Sequence, residues 1–222
     1  MQDNRIIQAV ALVATLGAAT AMVIIGHGGF GPPVVREPHL AAGVELARQA
    51  LSLLQPGGRI TVITRDTGLF PNPATDVLME GFQKELGAKH ASISAVEKLQ
   101  VDPLRLIQVP PGDFQNWFHQ AAAGDVIVSF MGPPTLTAVQ WQQLGEIKPA
   151  IVAFCPGKGP EPVDLRPLFA RGELQAAIVS RHDQSASRAK PGNPQAWFDR
   201  DFVVVTNVDD FAALPEKTAA LP

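Results

Sequence analysis

The chain has 222 residues, 46% of them hydrophobic, and a net charge of −3 with acidic and basic side chains interspersed. Nothing in that balance suggests a nucleic-acid partner, and none is expected. The single cysteine, Cys155, excludes an intramolecular disulfide and any cysteine-based metal site.

The first element is a segment at residues 6–25, twenty residues without a charge, in which only Gln8, Thr15 and Thr20 are polar. As a helix it would span roughly 30 Å, the thickness of a bilayer's hydrocarbon core. It runs into Gly26-His27-Gly28-Gly29-Phe30-Gly31, the spacing of a dinucleotide-binding loop. In that motif the third glycine opens a helix, whereas Gly31 is followed by Pro32-Pro33-Val34-Val35, an extended stretch. The segment is therefore read as a transmembrane helix, and no cofactor is expected. Ala19-Thr20-Ala21 fits a signal-peptide cleavage pattern, but cleavage there leaves a hydrophobic start at Met22, so a retained signal anchor is favoured. The short head Met1–Arg5 favours an N-in, C-out orientation, against which Arg36 and Arg48 weigh. The expected organisation is an anchor or signal segment over 1–26, a Gly/Pro linker over 27–37 and one domain over 38–222.

Beyond the linker, helical and strand patterns alternate. Residues 38–54 predict an amphipathic helix with Leu40, Val44, Ala47, Leu51 and Leu54 inward, stopped by Gln55-Pro56-Gly57-Gly58. A β-branched strand follows over 59–64, then a helix that starts at Asn72-Pro73 and ends near Leu86, with Val77, Leu78, Gly81 and Phe82 inward. A second strand is expected within 91–99, a helix from Asp113, a third strand over 125–130, a helix over 135–144 and a fourth strand over 150–155. Asp164 caps a short helix that Gly172 ends. Two more apolar strands fall at 175–180 and 201–206, a polar loop at 185–194, and a last helix starts at Asp209-Asp210. Strands apolar on both faces and separated by helices predict a parallel sheet covered on both sides. The fold class is α/β: a three-layer α/β/α sandwich with a mainly parallel, five- or six-stranded flavodoxin- or Rossmann-like sheet.

In such sheets ligands sit at the carboxyl ends of the strands. Those ends read Arg65-Asp66-Thr67-Gly68, Met131-Gly132-Pro133, Pro156-Gly157-Lys158-Gly159, Arg181-His182-Asp183 and Asn207-Val208-Asp209. The rim thus collects Arg65, Asp66, Lys158, Arg181, His182 and Asp183, enough cations to hold a carboxylate, a phosphate or a sugar acid through charge-assisted hydrogen bonds. A solvated rim with no ligand is the plain alternative, with Asp66 pairing with Arg65 or capping a turn. Cys155 sits where a nucleophile would, yet a cysteine in a β-branched run is more often a core residue. Gly157-Lys158-Gly159 lacks the spacing of a phosphate-binding loop. His27, His39, His90, His119 and His182 show no metal-ligand spacing, and Trp117, Trp141 and Trp197 read as packing residues.

Three segments carry a resemblance. ITVITRDTGLFPNPATDVLMEGFQKELG resembles the opening strand, Asn-Pro turn and first helix of the type I periplasmic sugar-binding proteins. GDVIVSFMGPP and IKPAIVAFCPG resemble two of their strands, and LFARGELQAAIVSRHD resembles the segment near their hinge. The resemblance covers about residues 59–184 and implies an extracytoplasmic fold that binds a small polar ligand between two lobes. It implies ligand contacts from Arg65, Asp66 and Asn72, and from Arg181 and Asp183 at the hinge-like strand. The chain departs from the family after AIVAFC, where only about twenty residues stand in place of a second lobe. A dimer or another partner would then have to supply the second wall.

The sequence therefore predicts a bacterial, single-pass, membrane-tethered α/β domain on the periplasmic side, with no catalytic residue. It binds a small polar ligand through Arg65, Asp66, Asn72, Lys158, Arg181 and Asp183, or docks on a membrane complex. The alternatives are a hydrolase or transferase using Cys155 or Asp66, and a scaffold without a ligand.

Overall fold

A computed structural model describes residues 34–68, 71–100, 109–145, 148–157, 164–181 and 191–213. The expected anchor, Lys158, His182 and Asp183 lie outside the described residues, as does most of the polar loop at 185–194. Among the described residues no helix is long and apolar enough to cross a membrane.

Helix α1 (Arg36–Leu53) leads into β1 (Ile60–Arg65), α2 (Pro73–Ala88) and β2 (Ala95–Leu99). Then come α3 (Pro111–Gln120), β3 (Val126–Ser129), α4 (Ala138–Gln143) and β4 (Ala150–Cys155). The chain closes with α5 (Arg166–Ala170), β5 (Ala176–Ser180), α6 (Pro194–Asp201), β6 (Phe202–Val205) and a 3₁₀ turn, Asp209–Ala213, where a last helix was expected. The six strands form one sheet in the order β2-β1-β3-β4-β5-β6. β1 to β5 are parallel, and β6 runs antiparallel to β5. This is the expected mainly parallel α/β sheet, except that the direction of β6 removes Asn207-Val208-Asp209 from the rim. Those residues lie at the end of the sheet where the other strands begin.

Helices cover both faces. Ile60, Val62, Val126, Val128, Val152 and Ile178 meet α1, α2 and α6 through Leu46, Phe82 and Phe198. Ile63, Ile127, Ile151, Ala153 and Val179 meet α3, α4 and α5 through Phe114, Phe118, Trp141 and Leu168. The alternation along each strand that sends successive side chains to opposite faces produces these two cores. Trp141 and Trp197 are buried in them, as packing residues are.

α1 turns a different stripe inward from the one its leucines predict. Its buried residues are Pro38, Ala41, Ala42, Gly43, Leu46, Ala47 and Ala50, while Leu40, Val44 and Leu51 are only partly buried. Small residues win because α1 lies very close to α2. A Cβ at Gly43 would strike the Leu78 carbonyl oxygen and stand 2.9 Å from Phe82 N, and one at Gly81 would strike the Leu40 carbonyl oxygen. Backbone meets backbone there, and only glycine fits.

Helix α6 was not expected. Asn193 caps it, with Oδ1 accepting from Ala196 N at 2.8 Å, and Pro194 sits at its first turn. The same Asn-Pro signature opens α2, where Asn72 Oδ1 accepts from Thr75 N at 3.3 Å.

Candidate functional site

The amino ends of the strands are tied down. Asp125, just before β3, is buried and accepts four hydrogen bonds: from Arg59 N (2.8 Å), Arg59 Nε (3.2 Å), Arg59 Nη2 (2.8 Å) and Ala122 N (2.9 Å). Burial acts to raise its pKa, but these donors outweigh it and hold the carboxyl below its ordinary value. Arg171 forms a fork on buried Glu173 with two contacts of 2.7 Å, and Gln175 Oε1 accepts from Ile151 N at 2.6 Å. The aspartate of the GDVIVSF motif is thus a staple between β1 and β3.

The carboxyl ends differ. β1 lies between β2 and β3, so the chain leaves it in one direction through α2 on one face and returns to β3 through α3 on the other. That reversal between β1 and β3 is the switch point at which open α/β sheets bind ligands. β1 ends there in Thr64 and Arg65. Thr64 is 4% exposed, and neither its Oγ1 nor the buried Nε of Arg65 has a hydrogen-bond partner. By alternation Thr64 follows Ile60 and Val62 toward the α2 face, and Arg65 follows Ile63 toward the α3 face. Two orphaned polar atoms therefore flank the end of one strand.

Around them the backbone is shaped by local hydrogen bonds. Asp66 N donates to Leu99 O at 2.6 Å, tying the exit of β1 to β2. Asp66 Oδ1 accepts from Gly68 N at 3.0 Å, an Asx turn, and the structure records no ion pair between Asp66 and Arg65. Thr67 Oγ1 donates to Asp76 Oδ1 at 3.2 Å. At the end of β3 the fully buried Ser129 takes Met131 N on its Oγ at 3.2 Å, and Gly132 follows with φ +93°.

The expected site residues are not all brought together. Arg65 and Asp66 stand at the switch point, and Asn72 is beyond it as the cap of α2, its side-chain oxygen already used. Arg181 lies at the end of β5, three strand spacings or about 14 Å from Arg65. Its Nε donates to Phe202 O at 3.0 Å and its N–H to Asp201 O at 2.8 Å, so it fastens β6 to β5. Cys155 is 9% exposed and free, and burial pushes its thiol up to about 12. Thr64 and Ser129 were missed as site residues, although a hydroxyl in an otherwise apolar strand is visible in the sequence. Among the described residues no three His, Cys, Asp or Glu side chains come together to hold a metal ion.

No family model matches the chain, and no curated protein does. Solved structures do. A periplasmic ribose ABC transporter protein from Conexibacter woesei is similar over 83% of this chain and 63% of its own, at 12% identity and a TM-score of 0.52. A solute-binding protein from Burkholderia graminis, in complex with D-arabinose, is similar over 82% and 63%, at 16% identity and a TM-score of 0.49. A sugar-binding protein from Bacillus halodurans is similar over 64% and 45%, at 18% identity and a TM-score of 0.43. The chain thus spans only about half to two thirds of the length of these structures. Its fold resembles, distantly and in part, one lobe of the type I periplasmic sugar-binding proteins.

Proposed function

We propose that this chain is a non-catalytic, extracytoplasmic binding module, tethered to the membrane by residues 6–25, that takes a small polar ligand at the carboxyl ends of β1 and β3. The observation that carries this reading is the pair of buried, partnerless atoms, Thr64 Oγ1 and Arg65 Nε, at the switch point. Folded proteins satisfy such groups, because each one left unmade costs about 1–3 kcal/mol. At the amino ends of the same sheet the buried carboxylates Asp125 and Glu173 have partners. A third such atom, Trp141 Nε1, lies within the α3–α5 core, whereas these two stand together where this architecture takes its ligands, and that placement supports a binding role. The burial of Cys155 weighs against the nucleophile alternative, since a protonated thiol neither attacks nor ligates.

A thermal-shift screen of sugars, amino acids and organic acids tests the reading. A true ligand at a hundred times its dissociation constant adds about 2.7 kcal/mol of stability. If no class of compound raises the melting temperature, the domain is a scaffold without a ligand.

A further inference from the structure

Eight arginines are described, and six of them pair with a carboxylate of the chain: Arg36 with Glu80, Arg48 with Glu45 and Glu85, Arg59 with Asp125, Arg166 with Asp164, Arg171 with Glu173 and Arg200 with Asp201. The other two, Arg65 and Arg181, both stand at carboxyl strand ends. Arg181 has a structural task on Phe202 O. Among the described residues Arg65 has no such partner, although it is partly buried and its Nε is shut off from solvent. We propose, resting on the ligand-binding reading above, that the ligand of this rim is a hydroxy-carboxylate monoanion whose carboxylate is held by the Arg65 guanidinium.

A neutral sugar would satisfy the donors of Arg65 but leave its charge uncompensated in a partly desolvated place. A carboxylate does both, because the guanidinium fork matches its two oxygens. The next residue limits the charge of the ligand. Asp66 uses Oδ1 on Gly68 N, and among the described residues no donor reaches its other oxygen. A second negative charge beside that carboxylate, as on a phosphate, is repelled. A hydroxyl is welcome there as a donor to the unused oxygen. One cation, one adjacent anion with a spare acceptor, and no metal-forming cluster among the described residues together describe a site for an acid that also carries a hydroxyl.

The experiment is calorimetric titration of the purified chain with matched probes: D-gluconate against D-glucose, D-galacturonate against D-galactose, lactate against propane-1,2-diol, and inorganic phosphate alone. The expected result is an acid that binds at least tenfold tighter than its neutral partner and tighter than phosphate. Its affinity should fall tenfold or more in Arg65→Gln and partly recover in Arg65→Lys, with both variants checked for native circular dichroism. If glucose, galactose or the diol binds as tightly as its acid, or if Arg65→Gln leaves the acid's affinity unchanged, the carboxylate assignment is overturned while a ligand site at the rim stands. If phosphate binds tightest, the monoanion assignment is overturned. If no probe binds and the wider screen also finds nothing, both readings fall together.

Discussion

Two buried side chains show how burial sets chemistry in this fold. Cys155 lies at the end of β4 inside the α3–α5 core, and burial alone lifts its thiol pKa to about 12. Against an ordinary value near 8.5, that removes roughly three orders of magnitude of thiolate at neutral pH. Native protein at pH 7.5 should therefore react with a disulfide reagent more than a hundredfold slower than protein unfolded in urea. Fast native labelling would return weight to a cysteine enzyme. Asp125 is equally enclosed but surrounded by donors. Asp125→Ala strands Arg59 N and Ala122 N, and should cost about 2–3 kcal/mol at pH 7 in urea unfolding. Because the folded carboxyl titrates below the unfolded one, its stabilisation is complete above the ordinary carboxylate pKa near 4 and disappears as the pH falls through the folded value. The gap between wild type and variant should therefore narrow toward pH 3. A gap that widens in acid would contradict the hydrogen-bonded carboxylate.

Helix α2 carries two glycines with opposite meanings. At Gly81 an added methyl runs into the backbone of α1, and Gly81→Ala or Gly43→Ala should destabilise by about 2–3 kcal/mol. At Gly87 nothing lies within 4 Å, so Gly87→Ala should stabilise by about 0.5–1 kcal/mol through helix propensity. Urea midpoints of the three variants separate close packing from backbone entropy, and equal effects at Gly81 and Gly87 would refute the crossing. The α1 case also shows what sequence periodicity can and cannot say. Leucines at helical spacing identify the helix, but the closeness of α1 to α2 depends on a glycine in each, 38 residues apart, and no local pattern reports that. The Asn-Pro signature of α6 was readable, since it repeats that of α2, yet the polar run before it reads as continuous loop. The direction of β6 was not readable, because FVVV is as apolar as a parallel strand. The eight-residue α6 runs straight into β6 with no returning loop, so β6 starts at the end where β5 finishes. For the site, Arg65 and Asp66 follow from their strand-end position. Which arginines are already neutralised depends on partners as distant as the 66 positions between Arg59 and Asp125.

At the scale of the molecule, the sheet has a firm end and an open one. Hydrogen-bonded staples close the amino ends, where Arg59 and Asp125 join β1 to β3 and Gln175 joins the start of β5 to β4. The carboxyl ends keep unpaired polarity at β1. A single lobe offers one wall to a ligand, so its affinity gains from anything that concentrates ligand or partner beside it, and a tether to a membrane does this by restricting the domain to a surface. The proposed tether at residues 6–25 rests on its twenty uncharged residues and is tested directly. In cells expressing the whole chain, the protein should sediment with membranes, resist extraction by carbonate and high salt, and be digested by protease added outside the inner membrane. Removing residues 1–33 should release a soluble domain with the same urea midpoint, since the two cores are built from residues 41–211. Recovery of the full chain in the cytosol, or protection from external protease in intact spheroplasts, would refute the tether and the extracytoplasmic placement while leaving the chemistry of the Arg65 rim unchanged.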